Sequence, residues 1–446
     1  MISADTDATT PEAAHDPGRR SALLIVFLVV FIDLLGFGIV LPLLPRIAQD
    51  FLTGFPVEAR GAIIGVLYSS FSVMQLVFSP MWGRLSDRYG RRPILMLSLA
   101  GSVVFYALFG YASTLPSEQA MLALGLLLLA RTGAGIAGAS VGTAAAVIAD
   151  CTPPERRAKG MALIGAAFGI GFTFGPLIAY LGLELFERQL WAPGVMASGL
   201  SALALLLAVL LLPETLKPGP KPPREFFSLQ RTLEVLRMPT VGALVLMYFL
   251  AIFAFANFEG TLSLFTATAF QLDNRDNFLV FAYIGFVLMV AQGGVYRPLA
   301  TRRSEEQLLM LGIGMMMMGL GGLVAVAYGS HLLKLSPDAV VGLKPLFYLS
   351  VTVGVCGFAF LNPSVASLVS KRSDPNRQGE VLGVNQAFSA LGRIFGPLVG
   401  STVFFLSDTR ILPYLVATAT MVLVLALLPA IRIVTPVTVD VPRSSE

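Results

Sequence analysis

Twelve long apolar runs dominate this chain, at 22–45, 61–82, 93–112, 119–149, 158–183, 192–212, 241–270, 277–298, 306–329, 344–370, 380–406 and 410–431. In a helix, about 20 such residues cross the roughly 30 Å of hydrocarbon in a bilayer. Backbone N–H and C=O groups in hydrocarbon must be satisfied within the protein, which for runs of this length means helices. Only 13% of the residues are charged, about half the share in a soluble domain. The expected fold is therefore an all-α membrane protein with twelve transmembrane helices. The first run is too long for a cleaved signal peptide and eleven more follow it, so it is read as the first membrane helix.

Basic residues in the connections set orientation. With the N-terminus inside, the inner segments hold 22 Lys and Arg and the outer ones 7. Both termini are expected in the cytoplasm. The net charge of +4 sits in these short loops and not in a nucleic-acid-binding face. Cys151 and Cys356 do not make a disulfide framework, and His15 and His331 lie in a polar tail and a loop, where a solvated role is expected for them.

The longest polar connection, 213–239, separates two sets of six runs. The expected division is a disordered cytoplasmic tail 1–20, a bundle 21–212, a cytoplasmic linker 213–239, a second bundle 240–432 and a tail 433–446. The halves repeat one another. PPERRAKGMALIGAAFGIGFTFGPL (153–177) aligns without gaps on DPNRQGEVLGVNQAFSALGRIFGPL (374–398), placing Pro154 on Pro375, Arg156 on Arg377, Gly171 on Gly392 and Gly175-Pro176-Leu177 on Gly396-Pro397-Leu398. Such a repeat predicts two pseudo-symmetric six-helix bundles with a substrate site between them.

The loop GRLSDRYGRRP (83–93) carries Gly83, Asp87, Arg88, Gly90, Arg91 and Arg92 between two apolar runs. It resembles the signature loop of the major facilitator superfamily. That resemblance implies a latch between the halves when the protein faces outward, with Asp87 as the latch residue and Arg393 as a secondary latch or packing residue. The counterpart in the second half, RPLATRRSEEQLL (297–309), lacks the aspartate. DLLGFGIVLPLLP (33–45), LLLARTGAGIAG (127–138) and GIGFTFGPLIAY (169–180) are similar to motifs of the twelve-span drug:proton antiporters, the tetracycline-transporter-like subgroup in particular. The antiporter motif falls on Gly171, Gly175 and Pro176, with Ala179 and Tyr180 where it usually closes with paired glycines. Gly133, Gly135 and Gly138 match a dinucleotide-binding spacing, but inside an apolar helix the match reads as close helix packing.

Charges inside a span are costly and mark function by default. Four occur: Asp33, Arg131, Glu259 and Arg393. In the superfamily the first, fourth, seventh and tenth helices line the cavity, and three of the four charges fall there. Asp33 and Arg131 both lie near the midplane, so a pair is expected. Asp33 and Glu259 are the candidate proton-coupling residues. Arg131, Phe37, Tyr68, Gln75, Phe255, Asn257, Gln292, Asn362, Asn385 and Gln386 are the candidate cavity residues, a mixture of rings and amides suited to amphiphilic molecules.

The expected function is secondary transport by alternating access, with antiport of small amphiphilic organic compounds or drugs against protons. The alternatives are a uniporter or symporter of an organic anion held by Arg131, and a non-transporting receptor. No nucleophile or metal constellation supports an enzyme or a cofactor. Expected partners are the small substrate, protons and lipid. The expected protein is a monomer with no nucleic acid, in a bacterial inner membrane.

Overall fold

The computed structural model describes residues 17–152, 157–216, 229–333, 340–374 and 377–432. Most of the two tails, residues 217–228 of the linker, and Pro154, Arg156 and Pro375 of the repeat lie outside the described residues, as does the side chain of Asp33. The spanning helices of the first half are α1 (Pro17–Val40), α2 (Val57–Tyr89), α3 (Arg91–Ala112), α4 (Ala120–Gly138), α5 (Arg157–Leu185) and α6 (Ala192–Leu211). Those of the second half are α7 (Pro239–Phe270), α8 (Asn274–Met289), α9 (Glu305–Leu332), α10 (Lys344–Lys371), α11 (Gln378–Phe405) and α12 (Leu412–Ala426). A short helix, Leu44–Phe51, extends α1, and Val141–Cys151 extends α4. Past Met289, α8 widens into a π-helical stretch, Val290–Tyr296, before Arg297–Ala300. Eleven of the twelve are long and apolar enough to cross a bilayer over their described residues. The remaining one, α5, is 29 residues long and ends in the apolar segment Gly169–Leu185. No strand occurs among the described residues.

The sequence repeat is a packing repeat. In the first half, glycines of α5 meet α1: a Cβ on Gly171 would stand 3.0 Å from Leu34 Cβ, and one on Gly175 3.1 Å from Gly38 Cα. In the second half, the aligned glycines of α11 meet α7: a Cβ on Gly392 would stand 2.9 Å from Ile252 Cγ2, and one on Gly396 2.8 Å from Ala256 Cβ. Lipid tails are as apolar as the side chains, so helices associate through close van der Waals fit, which small residues allow. Equivalent glycines therefore fix equivalent helix pairs.

The halves meet on one face of the molecule, the one opposite the linker, here termed distal. Several contacts make the seal. Ser69 of α2 donates to Ile394 O of α11 at 2.5 Å, and a Cβ on Gly65 would stand 2.8 Å from Leu398 Cα. Arg46 binds α7 and α8 through Ser263 O (3.2 Å), Thr266 Oγ1 (3.3 Å) and Asn274 Oδ1 (3.2 Å), and Asn277 donates back to Pro42 O at 3.2 Å. Arg275 of α8 pairs with Glu184 of α5 at 2.8 Å and donates to Tyr180 at 2.7 Å. On the linker face no hydrogen bond or ion pair joins the halves among the described residues. The structure is distally closed.

Each half is braced on its linker face, with the charges exchanged. In the first, Arg91 at the start of α3 is buried between Asp87 (2.7 Å) and Asp150 at the end of the α4 extension (3.2 Å). In the second, Glu305 and Glu306 at the start of α9 bind Lys371 and Arg372 at the end of α10. The loop 297–309 lacks the aspartate, yet it keeps the brace with acid and base interchanged.

Candidate functional site

Arg131 lies in the middle of the first half and is 1% exposed. Its guanidinium carbon stands 4.8 Å from the Phe71 ring centre and 5.7 Å from that of Phe37. Phe37 in turn packs on Phe71 (4.9 Å between centroids) and Phe172 (5.8 Å). Among the described residues no acceptor reaches Nε, Nη1 or Nη2. A ring face attracts a cation by about 0.5–2 kcal/mol, far less than the hydration an arginine loses on burial. The rings orient Arg131 without satisfying it. Its expected pairing with Asp33 lies outside the described side chains.

A second group of polar residues lies on α7, α10 and α11. Glu259 is half-buried and accepts no hydrogen bond among the described residues; the charge acting on it is Arg393. Arg393 donates from Nη1 to Ser389 Oγ at 2.8 Å. Tyr248 donates to Asn362 Oδ1 at 2.7 Å and is also within electrostatic reach of Arg393. Tyr68 connects the two groups: it is buried, donates to Leu41 O at 3.2 Å, and feels both Glu259 and Arg131. A line of ionisable groups thus runs from Arg131 in one half to Arg393 in the other.

The other expected cavity residues are distributed over both bundles. Phe255 turns into the second bundle, stacked on Phe358 with centroids 3.9 Å apart. Asn257 is fully buried against Gly400 of α11, and Asn385 is buried too. Gln386 is exposed. Gln75 donates to Gly138 O at 3.1 Å, bracing α2 on α4, and Gln292 lies in the π-helical stretch. Arg393, expected as a secondary latch, sits at mid-helix with Glu259, because α11 continues twelve residues beyond it to Phe405.

The signature loop is built as a capped turn. Gly90, at φ 110°, sits in a left-handed region that favours glycine and lets α2 turn straight into α3. Glu214, beyond α6, accepts from the backbone N–H of Arg91 (2.9 Å) and Arg92 (3.2 Å), a carboxylate at a helix N-terminus. Arg92 donates to Val209 O, Arg88 lies over the Tyr89 ring, and Gly83 has open space around it. Glu214, Asp150 and Arg46 carry structure that sequence reasoning missed. Gly135 packs against Phe71 of α2 and Gly133 against Phe105 of α3, so the dinucleotide-like spacing serves helix contact.

The Major Facilitator Superfamily profile matches residues 26–397. The chain belongs to the major facilitator superfamily. It is 31% identical to human major facilitator superfamily domain-containing protein 10, across 90% of this chain and 91% of that one. It is 30% identical to the class C tetracycline resistance protein of Escherichia coli, across 93% and 97%. In structure it resembles the human organic anion transporter MFSD10 (TETRAN), with a TM-score of 0.64, 27% identity, and coverage of 93% of this chain and 100% of that one. A D-xylose-proton symporter shares the fold at a TM-score of 0.70 and 18% identity, over 92% and 97% of the chains. The superfamily member is a multi-pass membrane transporter, neither an enzyme nor a receptor.

Proposed function

We propose that this transporter moves small amphiphilic organic anions in a proton-coupled cycle of alternating access. The observation that carries the reading is Arg131: a buried cation beside two aromatic rings that pack on each other, with no protein acceptor among the described residues. Such a group fits a carboxylate or sulfonate attached to an apolar body, because charge and rings are both supplied. The similarity to an organic anion transporter supports it. Both termini are cytoplasmic in this reading, on the basic side of the chain, so the distally closed structure faces inward.

A second reading is antiport of drug-like compounds against protons, with Asp33 and Glu259 as proton-coupling residues. It is favoured by Gly171, Gly175 and Pro176, which form the α1–α5 contact where the antiporter motif falls, and by the similarity to tetracycline resistance proteins. Flux in proteoliposomes under an imposed pH gradient separates the two. Anion uptake driven toward the alkaline side supports the first. Uptake of uncharged or cationic drugs toward the acidic side supports the second. Flux indifferent to the gradient sinks both.

A further inference from the structure

Arg393 and Glu259 are opposite charges that share a space without meeting in an ion pair. Arg393 is half-buried on α11 and uses Nη1 on Ser389; its other N–H groups reach no protein acceptor among the described residues. Glu259 is half-buried on α7 and likewise takes no described hydrogen bond or ion pair. The groups packed around them are few. From α11 comes Arg393, from α2 Tyr68, from α7 itself Tyr248, and from α10 the uncharged Asn362. No further charged side chain acts on Glu259 among the described residues.

The repeat gives this pair a place in the site. Arg393 aligns on Phe172, which packs on Phe37 in the aromatic surround of Arg131. Equivalent positions in the two halves therefore bring a ring to one side and a cation to the other. Resting on the organic-anion reading, we infer that Arg393 is a second anion-binding residue, whose place Glu259 holds until a proton arrives, so that one organic monoanion and one proton load together.

Charge balance is the reason. Empty, the pair is neutral. An anion arriving beside an ionised Glu259 would set two negative charges on one cation in a region where net charge is costly. A proton from water, taken by a Glu259 carboxylate oxygen, restores neutrality. The substrate's carboxylate or sulfonate then accepts N–H bonds from Arg393, and both ligands return to water on release. A cationic substrate would instead meet Arg393 as a repulsive neighbour.

The test uses the full chain in detergent with 2-naphthoate, naphthalene-2-sulfonate and the uncharged 2-naphthamide, titrated calorimetrically in buffers of different ionisation enthalpy. The wild type is expected to take up one proton per acid bound, with affinity falling about tenfold per pH unit once Glu259 is ionised. Glu259→Gln should bind the acids without proton uptake and with a flat pH profile. Arg393→Gln should lose about tenfold or more in acid affinity, Arg393→Lys should recover most of it, and thermal melting checks that each variant is folded. Proton release on binding, a flat wild-type profile, or an unchanged affinity in Arg393→Gln overturns the proposal. If Arg131→Gln alone then abolishes acid binding, the organic-anion reading stands without it. If neither wild type nor Glu259→Gln binds either acid, both fall.

Discussion

Arg131 costs the fold free energy, and that cost makes its role testable. A buried guanidinium with two ring faces and no described acceptor is a charge kept out of water without full compensation from the described residues. Replacing a buried ionic group by an apolar one of similar volume is often neutral or stabilising, by about 1–4 kcal/mol. Arg131→Met is therefore expected to melt at or above the wild-type temperature while losing transport, a separation of stability from activity. A melting temperature several degrees lower would show that Asp33 satisfies the guanidinium. Arg131→Gln with Asp33→Asn would then be less harmful than the sum of the singles. Arg131→Lys should not rescue activity, since a compact ammonium cannot lie flat against the packed pair Phe37 and Phe71. Arg131 and Glu259 were legible in the sequence, because a charge in an apolar run is conspicuous. Phe71, Phe172 and Tyr248 were not, since an aromatic residue in such a run looks the same whether it faces lipid, a partner helix or a ligand. Arg46 was hidden differently. The apolar run 22–45 stops just before it, whereas the short helix Leu44–Phe51 carries Arg46 back into the protein, 9% exposed.

Single helices were the easiest feature to read, because hydrocarbon allows few other ways to satisfy a backbone. Their partners were not, although the glycines that fix α1–α5 and α7–α11 repeat in register. The two linker-face braces show how alike elements can differ in strength. Arg91 is 3% exposed and held by two carboxylates, whereas Lys371 is 62% exposed in its pair with Glu305. Asp150→Asn weakens a buried arrangement, for which loss of a partner costs up to roughly 3–5 kcal/mol. Glu305→Gln removes a surface pair worth about 0–1 kcal/mol. Thermal melting should rank Asp150→Asn well below Glu305→Gln, and equal melting temperatures would refute the asymmetry. At the α2–α11 contact, Gly65→Leu inserts a side chain where a single Cβ already stands 2.8 Å from Leu398 Cα. That variant should hold the distal face open, seen as increased thiol labelling of a cysteine placed at Ser69.

At the scale of the whole molecule, transport requires the distal seal to break while the linker face closes. Asp87 pairs with Arg91 inside its own half in the distally closed form. The superfamily's latch would engage it across the halves in the opposite form. Asp87→Asn is expected to keep the fold, enrich the inward-facing population and slow transport; unchanged labelling from both sides with unchanged flux would exclude the latch. Arg46→Met should do the reverse and enrich the distally open form, because it removes three acceptors' worth of contact between α1 and the second half. The two-bundle plan could be anticipated from the repeat, but the state in which the bundles rest could not, because one sequence encodes both.

The chemistry of the Arg46 contact has a consequence for the medium in which the protein works. Its acceptors are a backbone carbonyl, a hydroxyl and an amide, none of them ionised, and Ser263 and Thr266 lie within the protein. Dissolved ions screen exposed charge pairs over about 8–10 Å at ordinary ionic strength, so Arg188–Asp273, with side chains 66% and 49% open to solvent, fades as the medium on the distal side becomes saltier. The buried hydrogen bonds of Arg46 fade far less. The closed face is thereby held in part by bonds that a saline shift on the distal side weakens little, and its closure depends more on the chain than on its surroundings.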